Sequence, residues 1–382
     1  MFLGRQPPEA VSVIWSAQKQ LNNKGANTMI MSTTADFHVG RPRQRVLALH
    51  CSGADHRQWR KLRTALEPEF ELIAPDFYGC EATGPWHGAR RFSLAEEAAA
   101  IIELIDDLNE PVHLVGHSYG GGVALKVAIE RPGSIRSLAL YEPSAFHILR
   151  QLGEEGAAEF AEIRALADDV GMNILRGAYQ AAARSFVDYW NGHGAWDELR
   201  AEVRTALLRW LPKAPLDFAA LIEEPTPISA YRVLCCPVLL LRGEYAPRPS
   251  RKIVDELVRL VPCGRAEIVS KAGHMGPITH GEEIAAQIAR HVCRAAKRAI
   301  TEKTFSAGTN YWHRTMTAGQ LHLEKKLIIR SLAPFPPQFD PCRAYHFYLS
   351  NILNIAFSNL DAHRGCDLKF FQLIVSKRIA SL

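Results

Sequence analysis

The chain has 382 residues, of which 47% are hydrophobic and 22% charged, with a formal net charge of +5. That length can bury a large core, and the composition is that of an ordinary globular protein rather than a disordered or fibrous one. Basic residues are dispersed, with modest clusters such as 41–45 and Lys297-Arg298 and no recognisable nucleic-acid module, so nucleic acid is not a predicted partner.

Residues 1–35 show no clear periodicity and are predicted to be a disordered extension. Residues 1–28 also lack the basic start, apolar run and small-residue cleavage site of an export signal. From residue 45 to about 296, short β-branched or leucine-rich runs alternate with longer amphipathic segments, which is how a mostly parallel sheet with helices on both faces is written. Ligands of such a sheet gather beyond the carboxyl ends of the strands, so each post-strand loop is a place to look for chemistry.

The first strand, 46–50, opens into His50-Cys51-Ser52-Gly53. Here the Ser52 backbone N–H can point at a developing oxyanion, while His50 is read as a bonding partner of its own loop rather than a base. Helix 57–66 and strand 71–74 follow, and Asp76 is expected to order the next loop. Helix 93–108 leads to strand 112–115, which runs into Gly116-His117-Ser118-Tyr119-Gly120 and helix 119–130. A serine at a sharp strand-to-helix turn is pushed toward strained backbone angles, and glycines two residues to either side let neighbouring backbone crowd past it. The pentapeptide therefore reads as a nucleophile elbow, with Ser118 raised near the positive end of a helix and the Tyr119 N–H as a second oxyanion donor. An inert serine in a glycine-rich turn is the bland alternative.

Strand 137–141 ends in Leu140-Tyr141-Glu142-Pro143, and a long helical insertion then runs to about residue 236. It concentrates large aromatics: Phe146, Phe160, Tyr179, Phe186, Tyr189, Trp190, Trp196 and Trp210. The insertion is read as a cap at about 144–236 whose aromatics mostly pack against one another, with two or three lining a pocket. After strand 238–242 the loop reads Gly243-Glu244-Tyr245-Ala246, which places Ala246 where a G-x-x-D loop would carry its acid. Two carboxylates compete for the vacant role: Glu142, the first choice, and Glu244. Helix 250–261 and strand 265–269 come next, then Lys271-Ala272-Gly273-His274-Met275-Gly276. His274 is the predicted base, since His113, His117, His193 and His280 are less well placed. Helix 282–294 closes the regular part, and residues 298–382 form a C-terminal extension of unknown role.

The eight cysteines include an adjacent pair and no C-x-x-C, which suits a reducing cytoplasm. No stretch reaches the roughly 18 consecutive apolar residues that span a bilayer, so no membrane association is predicted. No ligand cluster of suitable spacing implies a metal, and no organic cofactor is expected. The sequence carries no mark of oligomeric state.

With these motifs in place, the chain resembles the α/β-hydrolase superfamily, in particular members with a helical cap inserted after the sixth strand of the full fold. The resemblance covers about 45–296, within a domain of 36–297. It implies Ser118 as nucleophile, His274 as the histidine, and His50-Cys51-Ser52-Gly53 as the oxyanion loop, with Cys51 narrowing the loop where glycine is common. Certain haloalkane dehalogenases also place the acid after the sixth strand, which supports Glu142 by analogy. Serine in place of their aspartate disfavours halide displacement and epoxide opening. The short lead before residue 45 implies that the antiparallel edge of the sheet is reduced.

The function expected is hydrolysis of a small or medium carboxylic ester through an acyl-enzyme on Ser118. The alternatives are a non-catalytic small-molecule receptor, or a carbon–carbon bond hydrolase or cofactor-free perhydrolase using the same serine.

Overall fold

The computed structural model describes the backbone of residues 43–315 and the side chains of residues 43–298. The expectations for residues 1–35 and for most of 298–382 lie outside the described residues. The chain divides into two units, residues 1–312 and 313–382; the sheet and the site lie in the first.

Six strands form one sheet: β1 (Gln44–Leu49), β2 (Phe70–Ile73), β3 (Val112–His117), β4 (Ile135–Tyr141), β5 (Val238–Gly243) and β6 (Gly264–Val269). Their order is β2-β1-β3-β4-β5-β6 and every pairing is parallel. Each strand found overlaps its predicted run to within two residues at either end, because buried parallel strands are near-continuous apolar runs. No antiparallel strand occurs among the described residues.

Period-2 alternation sorts the strand residues onto two cores. Leu47, Leu49, Leu114, Leu138, Leu140 and Leu240 face one side. There they meet α2 (Leu94–Leu108), α3 (Tyr119–Glu130) and α10 (Arg248–Leu260). Val46, Ala48, Val115, Ala139, Leu239 and Leu241 face the other, against α1 (Arg60–Leu66) and the last helix, α12 (Gly281–Thr315), which follows the short α11 (Gly276–Thr279). That last helix is longer than its predicted 282–294 and runs unbroken across the expected domain edge at 297, because nothing in 295–315 supplies a proline to stop it.

The insertion between β4 and β5 is helical, as its spacing predicts: α4 (Phe146–Gln151), α5 (Ala157–Leu175), α6 (Tyr179–Asn191), α7 (Ala195–Glu198), α8 (Ala201–Trp210) and α9 (Ala214–Glu223), with short 3-10 turns between. It follows the fourth of the six described strands, which is the sixth of a sheet that also has two antiparallel edge strands. Trp190, Trp196, Trp210 and Phe218 are buried in it and join the first core.

Six histidines are buried among the described residues, His113, His147 and His291 among them. His113 contacts Ser137 Oγ at 2.8 Å, and His147 contacts the Tyr231 hydroxyl at 2.8 Å. Burial lowers the pKa of His113 to about 3, that of His147 to about 4 and that of His291 to about 4. The unfolded chain therefore binds more protons than the folded one between the ordinary value near 6.5 and these depressed values. The contribution of these three histidines to stability is expected to be constant above about pH 6.5 and to fall as the pH is lowered through that window, by up to about 1.4 kcal/mol per unit per histidine. Urea unfolding at pH 7 and pH 5 measures the drop; equal midpoints would contradict it.

Candidate active site

The elbow is built by backbone crowding beyond the ends of β1, β3 and β4. Ser118 has φ 52 and ψ −118, a strained conformation for a residue with a side chain. Hydrogen bonds hold it there from the end of β4 and the loop after it: Ser118 N–H donates to Tyr141 O at 3.0 Å, and Ser144 N–H donates to Ser118 O at 2.9 Å. The flanking glycines are needed for the predicted reason. A Cβ on Gly120 would lie 2.4 Å from the carbonyl oxygens of Leu49 and His50, and one on Gly116 would lie 2.6 Å from Gly120 O.

Three post-strand loops bring their predicted side chains together. His274 Nε2 stands 2.9 Å from Ser118 Oγ, and His274 Nδ1 stands 2.8 Å from Glu142 Oε2. A carboxylate only accepts, so Nδ1 carries the proton and Nε2 presents its lone pair to the serine O–H. Ser118 then accepts in its 3.1 Å contact with Ser144, whose hydroxyl donates. All four side chains are buried. Glu142 reaches the site from a left-handed backbone, φ 41, and Gly243 N–H donates to its other oxygen at 2.9 Å.

Glu244 lies elsewhere. Its carboxylate accepts from Ser270 Oγ at 3.0 Å and Lys271 N–H at 2.8 Å, and these bonds lower its pKa. Ala246 is buried where a G-x-x-D acid would stand.

The histidine is held on every side. His117 Nε2 donates to His274 O at 2.8 Å, and burial, aided by the nearby His274, keeps the His117 pKa well below its ordinary value. Tyr141 OH donates to Gly273 O at 2.7 Å, fixing the loop one residue earlier. The Trp190 ring stacks on the His274 imidazole with centroids 4.1 Å apart, an aromatic face that favours a cationic ring.

Ser52 and Tyr119 both border a small cavity of about 20 Å³. The N–H at the first position of a helix has no carbonyl within that helix to bond, which is the condition Tyr119 meets at the start of α3. The walls include Phe146, Phe186, Trp190, Trp210 and Phe218, so more cap aromatics reach the cavity than the two or three expected. The helical insertion faces the strand ends, and its rings shield the buried polar groups there from water.

His50 takes up its loop: Nδ1 contacts Cys51 O at 2.8 Å and Nε2 accepts from Phe77 N–H at 3.2 Å. Asp76 accepts from His56 N–H and ring, ordering the neighbouring turn. Among the described residues His50, Asp76 and Cys80 place ligand-type atoms within 4.8 Å of one another. Burial raises the Cys80 thiol to about 12, and the His50 and Asp76 atoms are already engaged in loop hydrogen bonds.

Sequence reasoning did not single out Ser144, Asp217, Lys213 or Glu97. Ser144 follows Glu142 by two residues in one post-strand loop, a spacing that marks it in retrospect. Asp217 is buried at the cavity, where its Oδ2 accepts from Ser52 Oγ at 2.7 Å and from Trp210 Nε1 at 3.3 Å. Lys213 Nζ lies 2.7 Å from Asp217 Oδ1 and 2.8 Å from Glu97 Oε2. Burial presses the ammonium toward neutrality, but Asp217 and Glu97 outweigh it and the Lys213 pKa is raised. Burial raises the Asp217 pKa against the pull of Lys213.

A model of the alpha/beta hydrolase family matches residues 46–287. The chain is 28% identical over 243 residues to a Bacillus subtilis (strain 168) protein assigned as a 2-succinyl-6-hydroxy-2,4-cyclohexadiene-1-carboxylate synthase, covering 60% of this chain and 83% of that protein. It is 26% identical over 260 residues to the pimeloyl-acyl-carrier-protein methyl ester esterase of Aeromonas hydrophila, covering 62% of this chain and 91% of that one. Among solved structures, a thermophilic esterase from Thermogutta terrifontis is similar with a TM-score of 0.52 at 20% identity, over 66% of this chain and 90% of its own. MenH from S. aureus is similar with a TM-score of 0.51 at 19% identity, over 68% and 96%. At these identities the structural likeness carries the fold.

The carboxylate facing His274 can be checked without turnover. A strongly hydrogen-bonded imidazole Nδ1–H is expected far downfield in the proton spectrum of the wild type and of Glu244→Gln, and shifted upfield or lost in Glu142→Gln. The reverse pattern would mean that Glu244 is the partner. Separately, Gly120→Ala is expected to lower the unfolding free energy by about 2 kcal/mol or more, since backbone must move to admit the methyl group; an unchanged urea midpoint would show that the elbow is looser than its contacts imply.

Proposed function

The chain belongs to the alpha/beta hydrolase family, and from that premise we propose that it is a serine hydrolase acting on a small or medium neutral carboxylic ester. The observation that carries the reading is the hydrogen-bonded line from Glu142 through His274 to Ser118, with contacts of 2.8 and 2.9 Å. His274 takes the Ser118 proton as Oγ attacks the ester carbonyl. Glu142 keeps the imidazole in the productive tautomer and stabilises the imidazolium without taking its proton. The Ser52 and Tyr119 N–H groups receive the oxyanion, the alcohol leaves with the proton from His274, and water activated by His274 then releases the acid.

Substrate class follows from the cavity walls. They are aromatic and aliphatic apart from three serines and Asp217, and none of the lining residues is a cation. The Bacillus subtilis relative's name carries a carboxylate; a carboxylate-bearing substrate would here face Asp217 with no cation in the cavity wall, since Lys213 pairs with Asp217 from behind it. The Aeromonas hydrophila relative is named for a methyl ester, which is closer to what these walls accept. Glu142 at 2.8 Å from His274 supports hydrolysis over a non-catalytic receptor, which would need no directed imidazole.

The proposal assigns hydrolysis to residues 36–297, with the cap at about 144–236 and the two terminal segments left without a role. It places the protein in a reducing cytoplasm, in keeping with the free thiols of Cys51, Cys80, Cys235, Cys236 and Cys293. Among those residues no helix is long and apolar enough to cross a membrane.

A fluorophosphonate probe is expected to label Ser118 in the wild type, not at all in Ser118→Ala and far more slowly in His274→Ala. With short-chain p-nitrophenyl esters, loss of serine or histidine is expected to lower kcat by about 10⁶-fold and Glu142→Gln by about 10⁴-fold. Glu244→Gln should stay close to wild type. Well-folded wild-type protein that neither takes the label nor turns over any ester would favour the receptor.

A further inference from the structure

We propose that Lys213, a residue of the cap, is a positioning residue for the oxyanion hole, tying together through one buried ammonium the two residues that present its N–H groups. The proposal rests on the serine-hydrolase reading above. Lys213 is only 6% exposed and closes the short turn Leu211–Lys213 just before α9. It is absent from the cavity wall, so it does not touch the reacting atoms.

Two arms run from its ammonium. In one, Nζ meets Asp217 Oδ1 at 2.7 Å, and the other oxygen of Asp217 accepts from the Ser52 hydroxyl at 2.7 Å. In the other, Nζ meets Glu97 Oε2 at 2.8 Å, and the same oxygen accepts from the Tyr119 hydroxyl at 2.8 Å. Glu97 Oε1 also accepts from Tyr78 N–H at 3.0 Å, and Nζ lies 4.4 Å from the centroid of the Tyr119 ring. Ser52 stands on the loop after β1, Tyr119 begins α3, Glu97 belongs to α2, and Lys213 and Asp217 come from the insertion. The cap thus supplies a buried ammonium that pairs with both Glu97 and Asp217.

Like charges at this depth repel, and a carboxylate deprived of its partner protonates or turns away. Either response would release the Ser52 or Tyr119 side chain and let its residue drift. An oxyanion donor works only within a narrow range of distances from the developing charge, so a displacement well under 1 Å lowers the rate while leaving ground-state binding nearly untouched. That split separates positioning from plain structural support.

The test uses the full chain, p-nitrophenyl butyrate as substrate and phenylboronic acid as the tetrahedral probe. Lys213→Met is expected to lower kcat by about 10–100-fold with KM within about threefold, and to weaken boronate inhibition by a factor that tracks kcat. The double variant Ser52→Ala, Tyr119→Phe keeps both backbone N–H groups and the ion pairs but cuts both tethers; it should show the same split, and adding Lys213→Met to it should lower kcat little further. Folded Lys213→Met with wild-type kcat, or a loss confined to KM, overturns the proposal. So does a double variant with wild-type kcat and boronate affinity, and that variant decides alone if Lys213→Met fails to fold. A wild-type protein inert to fluorophosphonate sinks the hydrolase reading itself, and this proposal with it.

Discussion

Close backbone approach beyond the carboxyl ends of β1, β3 and β4 is the constraint on which the rest of the molecule depends. Ser118 occupies a left-handed conformation because its N–H and C=O are bonded to the next strand's loop, at Tyr141 and Ser144, while Gly120 N–H bonds His50 O on the other side. Strain of this kind costs on the order of 1–3 kcal/mol and persists only where surrounding contacts over-determine it. Here the same contacts that hold the strained turn also set the neighbouring loops, so Ser118, His274 and Glu142 are positioned by one piece of packing. The loop after β1 and the Glu142 turn are direct neighbours of the elbow in the sheet order.

Burial then decides the electrostatics. Glu142, His274 and Ser118 are nearly inaccessible to water, and hydrogen bonds between such groups are stronger and more directional than at a surface. The second buried ionic group, Glu97 with Lys213 and Asp217, would be unfavourable if any member were left without its partner. It joins the insertion to the strand ends through charge, whereas the aromatics of the insertion do so through apolar contact. A helical cap held only by Trp and Phe packing would shield the site; one held also by Lys213 is coupled to its geometry.

Much of the architecture was legible because it is written in local patterns. Buried parallel strands are continuous apolar runs and amphipathic helices repeat every three to four residues, so β1 to β6 and most helices were readable in order. The elbow was readable because a strained turn demands glycine at fixed offsets, and His274 because a post-strand loop carrying glycine and histidine is conspicuous. The end of α12 was not, since the residues that carry it past 294 have helical propensity but no strong amphipathic signal.

What the amino-acid order determined by itself was therefore the elements, their alternation and the candidate side chains, each a property of a few consecutive residues. Which carboxylate meets His274 was decided only in three dimensions. Glu142 and Glu244 both follow strands, but the φ of 41 at Glu142 and its bond from Gly243 N–H aim it at the imidazole, while Ser270 and Lys271 hold Glu244 away. The Glu97–Lys213–Asp217 link was likewise invisible, because Lys213 stands 116 positions from Glu97 in the chain. Charge pairing at that separation leaves no periodicity to read, and it exists only once the insertion has folded over the strand ends.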